Sequence, residues 1–107
     1  MLMDGFQKVA KIGDIPSGQS IIVQVNEKPI AIFNIEGKLF AIYNLCPHEG
    51  GPLGEGRLKG CVVSCPWHDL AFDVRNGRAT DGGGYCVGSY EVRIEGEEVL
   101  VGGRRKV

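Results

Sequence analysis

Apolar and polar residues alternate along much of this chain with the two-residue period of half-buried β-strands. The run Tyr90-Glu91-Val92-Arg93-Ile94 shows it most clearly, with an apolar side chain at every second position. Residues 19–25, 29–35 and 38–44 are rich in Ile, Val, Phe and Tyr and predict three further strands. Asn26-Glu27-Lys28 and Glu36-Gly37 punctuate them as hairpin turns, and Asn76-Gly77 is a strong short-turn signal. Shorter strands are expected at 60–64 and 71–74, and a final hairpin at 89–94 and 98–101 around Glu95-Gly96-Glu97. No amphipathic helical period stands out. The expectation is an all-β fold, a small antiparallel sandwich or barrel. The 107 residues suffice for one domain, residues 1–107.

Two segments break the strand rhythm. Residues 46–58 contain Pro47, Pro52 and four glycines (Gly50, Gly51, Gly54 and Gly56), and predict a loop. Residues 65–70 open with Cys-Pro-Trp-His. Each segment begins with a cysteine closely followed by a histidine, and residues 58–64 are expected to form the strand between them. Loops on a rigid β scaffold are a common place for chemistry.

Charge removes some function classes. The formal net charge is −1, which argues against nucleic-acid binding. The basic run Arg104-Arg105-Lys106 is expected to be a frayed, solvated tail. No apolar stretch approaches the ~20 residues of a membrane-spanning helix. Met1-Leu2-Met3-Asp4 lacks the charged and apolar regions of a secretion signal. A cytoplasmic location is expected, where thiols stay reduced and four cysteines point to metal or catalysis rather than disulfides.

The chain has two histidines, and both fall in these loops, in Cys46-Pro47-His48 and Cys65-Pro66-Trp67-His68. Thiolate and imidazole ligands suit zinc, copper and iron. A zinc site with these four ligands is disfavoured, because its pairs would be mixed where fingers place Cys with Cys and His with His. An all-cysteine iron–sulfur cluster on Cys46, Cys61, Cys65 and Cys86 matches neither familiar ferredoxin spacing and leaves both histidines unused. Four residues without metal is the third alternative.

The paired motif resembles the Rieske [2Fe–2S] domain family, and residues 85–101 resemble that family's C-terminal hairpin. The resemblance implies a Rieske-like β fold with a cluster-binding subdomain of two loops at about 45–75. It implies that Cys46 and Cys65 bind one iron through thiolates, and that His48 and His68 bind the other through imidazole nitrogens at the tip. Two ferric ions, two sulfides and two thiolates cancel formally, so reduction gives a monoanion. Four thiolates would make the oxidised form a dianion already, so histidine ligation raises the potential, into a range of roughly −150 to +300 mV. High-potential members carry a disulfide at positions matching Gly51 and Trp67, and hydroxyls at positions matching Leu70 and Phe72. Those are absent here, and Asp69 adds negative charge, so a low potential is expected.

Stand-alone domains of this kind resemble the ferredoxins of multicomponent oxygenases. The resemblance implies a soluble one-electron carrier between a flavin-dependent reductase and a terminal oxygenase, with Trp67 and Leu53 beside the docking tip. The alternative is a fixed or regulatory subunit of a larger reductase, similar to the small subunit of nitrite reductases. Paired carboxylates, a Ser–His arrangement and a phosphate loop are not visible, so no catalysis or small-molecule substrate of its own is expected. Cys61 and Cys86 are expected to be small buried hydrophobes, Tyr43 a strand residue, and Trp67 to shield the cluster or to pack against the first loop rather than to transfer electrons itself. The four loop glycines are expected to allow tight turns and close approach.

Overall fold

The computed structural model describes residues 5–47, 50–67, 70–80 and 84–105. Nine strands run β1 (Gln7–Lys11), β2 (Ser20–Val25), β3 (Lys28–Ile35), β4 (Lys38–Tyr43), β5 (Arg57–Lys59), β6 (Val62–Ser64), β7 (Ala71–Asp73), β8 (Ser89–Glu95) and β9 (Glu98–Arg104). Six form one antiparallel sheet in the order β1-β9-β8-β4-β3-β2, and β5-β6-β7 form a second. The large sheet curls into a nearly closed barrel. Across its open seam, Gln7 Nε2 donates to Asn26 Oδ1 at 2.8 Å.

Strand β3 explains the layering. Ile30, Ala31, Ile32 and Phe33 are all fully buried, because both faces of the strand are covered. Ile30 and Ile32 point into the barrel with Ile15, Val25, Ala41, Val99 and Val101. Ala31 and Phe33 point outward, where the small sheet covers them with Val63 and Phe72 and the first cysteine loop adds Leu53. The long framework strands thus carry the small sheet on one flank.

The framework hairpins follow the predicted pattern within a residue or so at most ends. Asn26, Glu27 and Glu36 take positive φ (51°, 67° and 52°) at two-residue turns, the backbone such tight hairpins demand. Four expectations change. Strand β1, not predicted, pairs with β9, and a register shift between Lys8 and Ala10 breaks its alternation. Residues 46–58 are not all loop: Leu53–Glu55 is a 3-10 turn and β5 begins at Arg57. The single strand expected at 58–64 is a hairpin, with Gly60 at φ 61° in its turn. Arg104 is the last residue of β9, and Arg105 N donates to Ser89 O at 2.7 Å, so this part of the tail continues the sheet. Lys106 lies outside the described residues.

Candidate metal centre

The first cysteine loop grows out of β4 and is pinned before it starts. Asn44 is buried. Its Oδ1 accepts from Gly54 N at 2.7 Å, its N–H donates to Pro29 O at 2.9 Å, and its C=O accepts from Leu53 N at 2.6 Å. Ser20 Oγ donates to the other side of the same peptide segment, Gly54 O, at 2.7 Å. A Cβ on Gly54 would lie 2.5 Å from Ile22 Cγ1 and 2.9 Å from Asn44 Oδ1. Glycine is therefore required where the turn sits against the framework. Asn44 and Ser20 hold the loop in place, and sequence reasoning missed both. A polar residue directly following an apolar strand was the available signal at Asn44.

Between these anchors the loop closes on itself. Cys46 N donates to Gly51 O at 2.9 Å, and Gly50 N donates to Cys46 O at 2.7 Å. Gly50 sits at φ 76°, a conformation that favours glycine. The second loop is tied at its base by Cys65 N donating to Leu70 O at 2.9 Å. A third segment, not foreseen, runs beside it. Thr80 N donates to Ala71 O at 2.9 Å, Ala79 N to Tyr85 O at 2.9 Å and Val87 N to Gly77 O at 2.7 Å. Its entry is the turn after β7, where Arg75 grips Asp73 with Nε–Oδ1 at 3.0 Å and Nη2–Oδ2 at 2.7 Å. The side-chain hydrogen bond from Arg75 holds the Asp73 carboxyl below the usual carboxylate range.

The two predicted thiol ligands come together. Cys46 and Cys65 are 2% and 4% exposed and share one buried cluster. Gly51 touches both: its carbonyl accepts from Cys46, and a Cβ built on it would lie 2.5 Å from Cys65 Sγ and 3.2 Å from the Trp67 ring. None of the four cysteines is in a disulfide. His48 and His68, the predicted imidazole ligands, lie outside the described residues, as does Asp69. Two cysteines outside any disulfide, buried at the bases of facing loops, with a glycine cradle between them that a methyl group would fill, suit a thiolate-ligated iron centre.

Residues 5–91 match the family model of the Rieske [2Fe-2S] domain. The chain belongs to that family. Its cofactor is accordingly a Rieske-type [2Fe–2S] cluster. This Rieske protein is 36% identical over 98 residues to the ferredoxin component of naphthalene 1,2-dioxygenase/salicylate 5-hydroxylase systems from Ralstonia sp., a match covering 86% of this chain and 89% of that one. It is 36% identical over 99 residues, 90% of each chain, to the biphenyl dioxygenase ferredoxin subunit of Pseudomonas sp. strain KKS102. Among solved structures it resembles a chain in a complex of reduced oxygenase and oxidized ferredoxin in carbazole 1,9a-dioxygenase. The TM-score is 0.87 at 30% identity, over 97% of this chain and 98% of that one.

Three site expectations are corrected. Leu53 is fully buried in the core under the first loop, so it is no docking residue. Cys61 is half-buried in the turn between β5 and β6, and Cys86 is exposed. Cys61 sits in the turn between two three-residue strands, and Cys86 in an isolated bridge to Arg78 outside the strands, so the core closes over neither. Trp67 is 60% exposed and does pack on the first loop, through Gly51. Tyr43 ends β4, as expected of a strand residue.

Proposed function

We propose that this Rieske protein is a one-electron carrier that accepts from a flavin-dependent reductase and delivers to a terminal oxygenase, working in the cytoplasm. Its ligands are Cys46, His48, Cys65 and His68, in a single domain of residues 1–107 whose cluster-binding part spans about 45–75. When bound, the cluster supplies reversible one-electron chemistry. The chain's own residues do the rest. Cys46 and Cys65 present sulfur from loops that Asn44, Ser20 and Gly51 hold in place. Leu70 and Phe72 place hydrocarbon where a hydroxyl would stabilise extra negative charge, which favours a low potential.

The observation that carries this reading is Gly51 in contact with both cysteines, one in each loop. Relatives that are ferredoxin components, at 36% identity over most of their length, favour a carrier over a fixed subunit. Among the described residues no helix is long and apolar enough to cross a membrane.

The test is purification followed by redox assay. The expected protein elutes alone, with iron and acid-labile sulfide. It is reduced by a flavin reductase of a dioxygenase system and reoxidised by the matching oxygenase. Stoichiometric co-elution with a large reductase would overturn the carrier reading. A midpoint above about +100 mV, toward the top of the range of Rieske centres, would overturn the low-potential assignment.

A further inference from the structure

We propose that Trp67 is a positioning residue: its indole, seated on Gly51, locks the second cysteine loop to the first without a covalent link and keeps water from Cys65 Sγ. This rests on Cys65 being a cluster ligand. The first loop is a closed ring, tied by Cys46 N to Gly51 O at 2.9 Å and Gly50 N to Cys46 O at 2.7 Å. The second is tied at its base by Cys65 N to Leu70 O at 2.9 Å. The two rims meet in a three-way contact at Gly51. The space its missing side chain leaves is filled by Cys65 Sγ and by Cγ and Cδ2 of Trp67, the latter two at 3.2 Å from an ideal Cβ.

Trp67 is 60% open to solvent, so part of its indole is covered. The Cγ–Cδ2 edge of its five-membered ring lies against Gly51, beside the buried Cys65. Hydration of a ligating sulfur favours the form carrying one more electron, so a dry cap lowers the potential. Gly51 is the socket. Any larger residue there displaces either the indole or the sulfur.

The test uses the cluster-loaded protein and two readouts, midpoint potential and rate of iron loss to a chelator. Trp67→Ala raises the midpoint and speeds iron loss by about tenfold, the usual scale for removing an outer partner of a metal ligand. Trp67→Phe keeps a ring on Gly51 and restores both toward the parent values. Gly51→Ala shifts both in the direction of Trp67→Ala. If Gly51→Ala does not fold, the Trp67 pair decides alone. A Trp67→Ala protein with the parent midpoint overturns the proposal, as does a folded Gly51→Ala protein with unchanged midpoint and visible spectrum. Cys65→Ser separates the two layers. Loss of the cluster there with an unmoved Trp67→Ala midpoint defeats the cap alone. Retention of the native spectrum in Cys65→Ser defeats the ligand assignment and the cap with it.

Discussion

The framework sheet and the small sheet are both antiparallel and β-built, yet different physics specifies them. Framework strands are five to eight residues long, and β2 and β3 stay in register over six pairs, from Ser20↔Phe33 to Val25↔Lys28. Their stability is spread over many buried side chains on two faces of β3. The small sheet has strands of three residues and three register pairs per interface. It depends on single positions where nothing larger fits. A Cβ on Gly56 would collide with the Ser64 carbonyl oxygen, and one on Gly77 with that of Val87. The framework tolerates change in proportion to the area lost, except at Gly102 against the Phe6 side chain, whereas the small sheet fails at points set by backbone.

The contrast can be broken most sharply at the cysteines. Cys46→Ser should abolish the visible absorbance of the cluster while far-ultraviolet dichroism still reports the framework strands; full retention of iron would remove Cys46 from the ligand set. Next comes the barrel core. Ile32→Ala should lower unfolding free energy by about 2–5 kcal/mol, as for other large-to-small core changes, and leave the midpoint potential where it was. A shifted potential would show that the two regions are coupled more tightly than their separate cores suggest. Gly56→Ala should cost about 1–3 kcal/mol through overpacking against backbone. Hydrogen exchange should rise across 57–73 while β2 and β3 stay protected; uniform loss of protection would merge the two regions into one cooperative unit. The smallest effect belongs to Asp73. Its carboxyl sits below its ordinary value because Arg75 hydrogen-bonds it. The resulting stabilisation is fully present above the unfolded carboxylate pKa and is lost as pH falls through the folded one. Asp73→Asn should flatten the acid limb of a melting-temperature profile slightly, since Arg75 is solvent-exposed.

Alternation revealed the hairpins because framework residues answer to an average environment, in or out. Strand β1 escaped because Val9 and Ala10 are half-buried neighbours at a bulge, so Gln7–Lys11 never shows a clean period. Strand β5, Arg-Leu-Lys, is too short to carry one. The cysteine–histidine spacing was legible because ligand chemistry restricts residue type so strongly. What seats those ligands was not. Asn44 and Ser20 act on Gly54 across ten and thirty-four positions in sequence, and Gly51 meets Cys65 through space. Leu53 was misplaced for the same reason. Its surroundings come from the small sheet and β3, not from its neighbours in the chain.

The placement of Trp67 has a practical corollary. It is the chain's single tryptophan, so indole emission, excited selectively over the three tyrosines, comes from one residue beside the proposed iron ligand Cys65. Energy or electron transfer to a nearby coloured iron centre darkens such emission. Brightening on cluster removal and dimming on reconstitution would then report occupancy in real time, with no label attached.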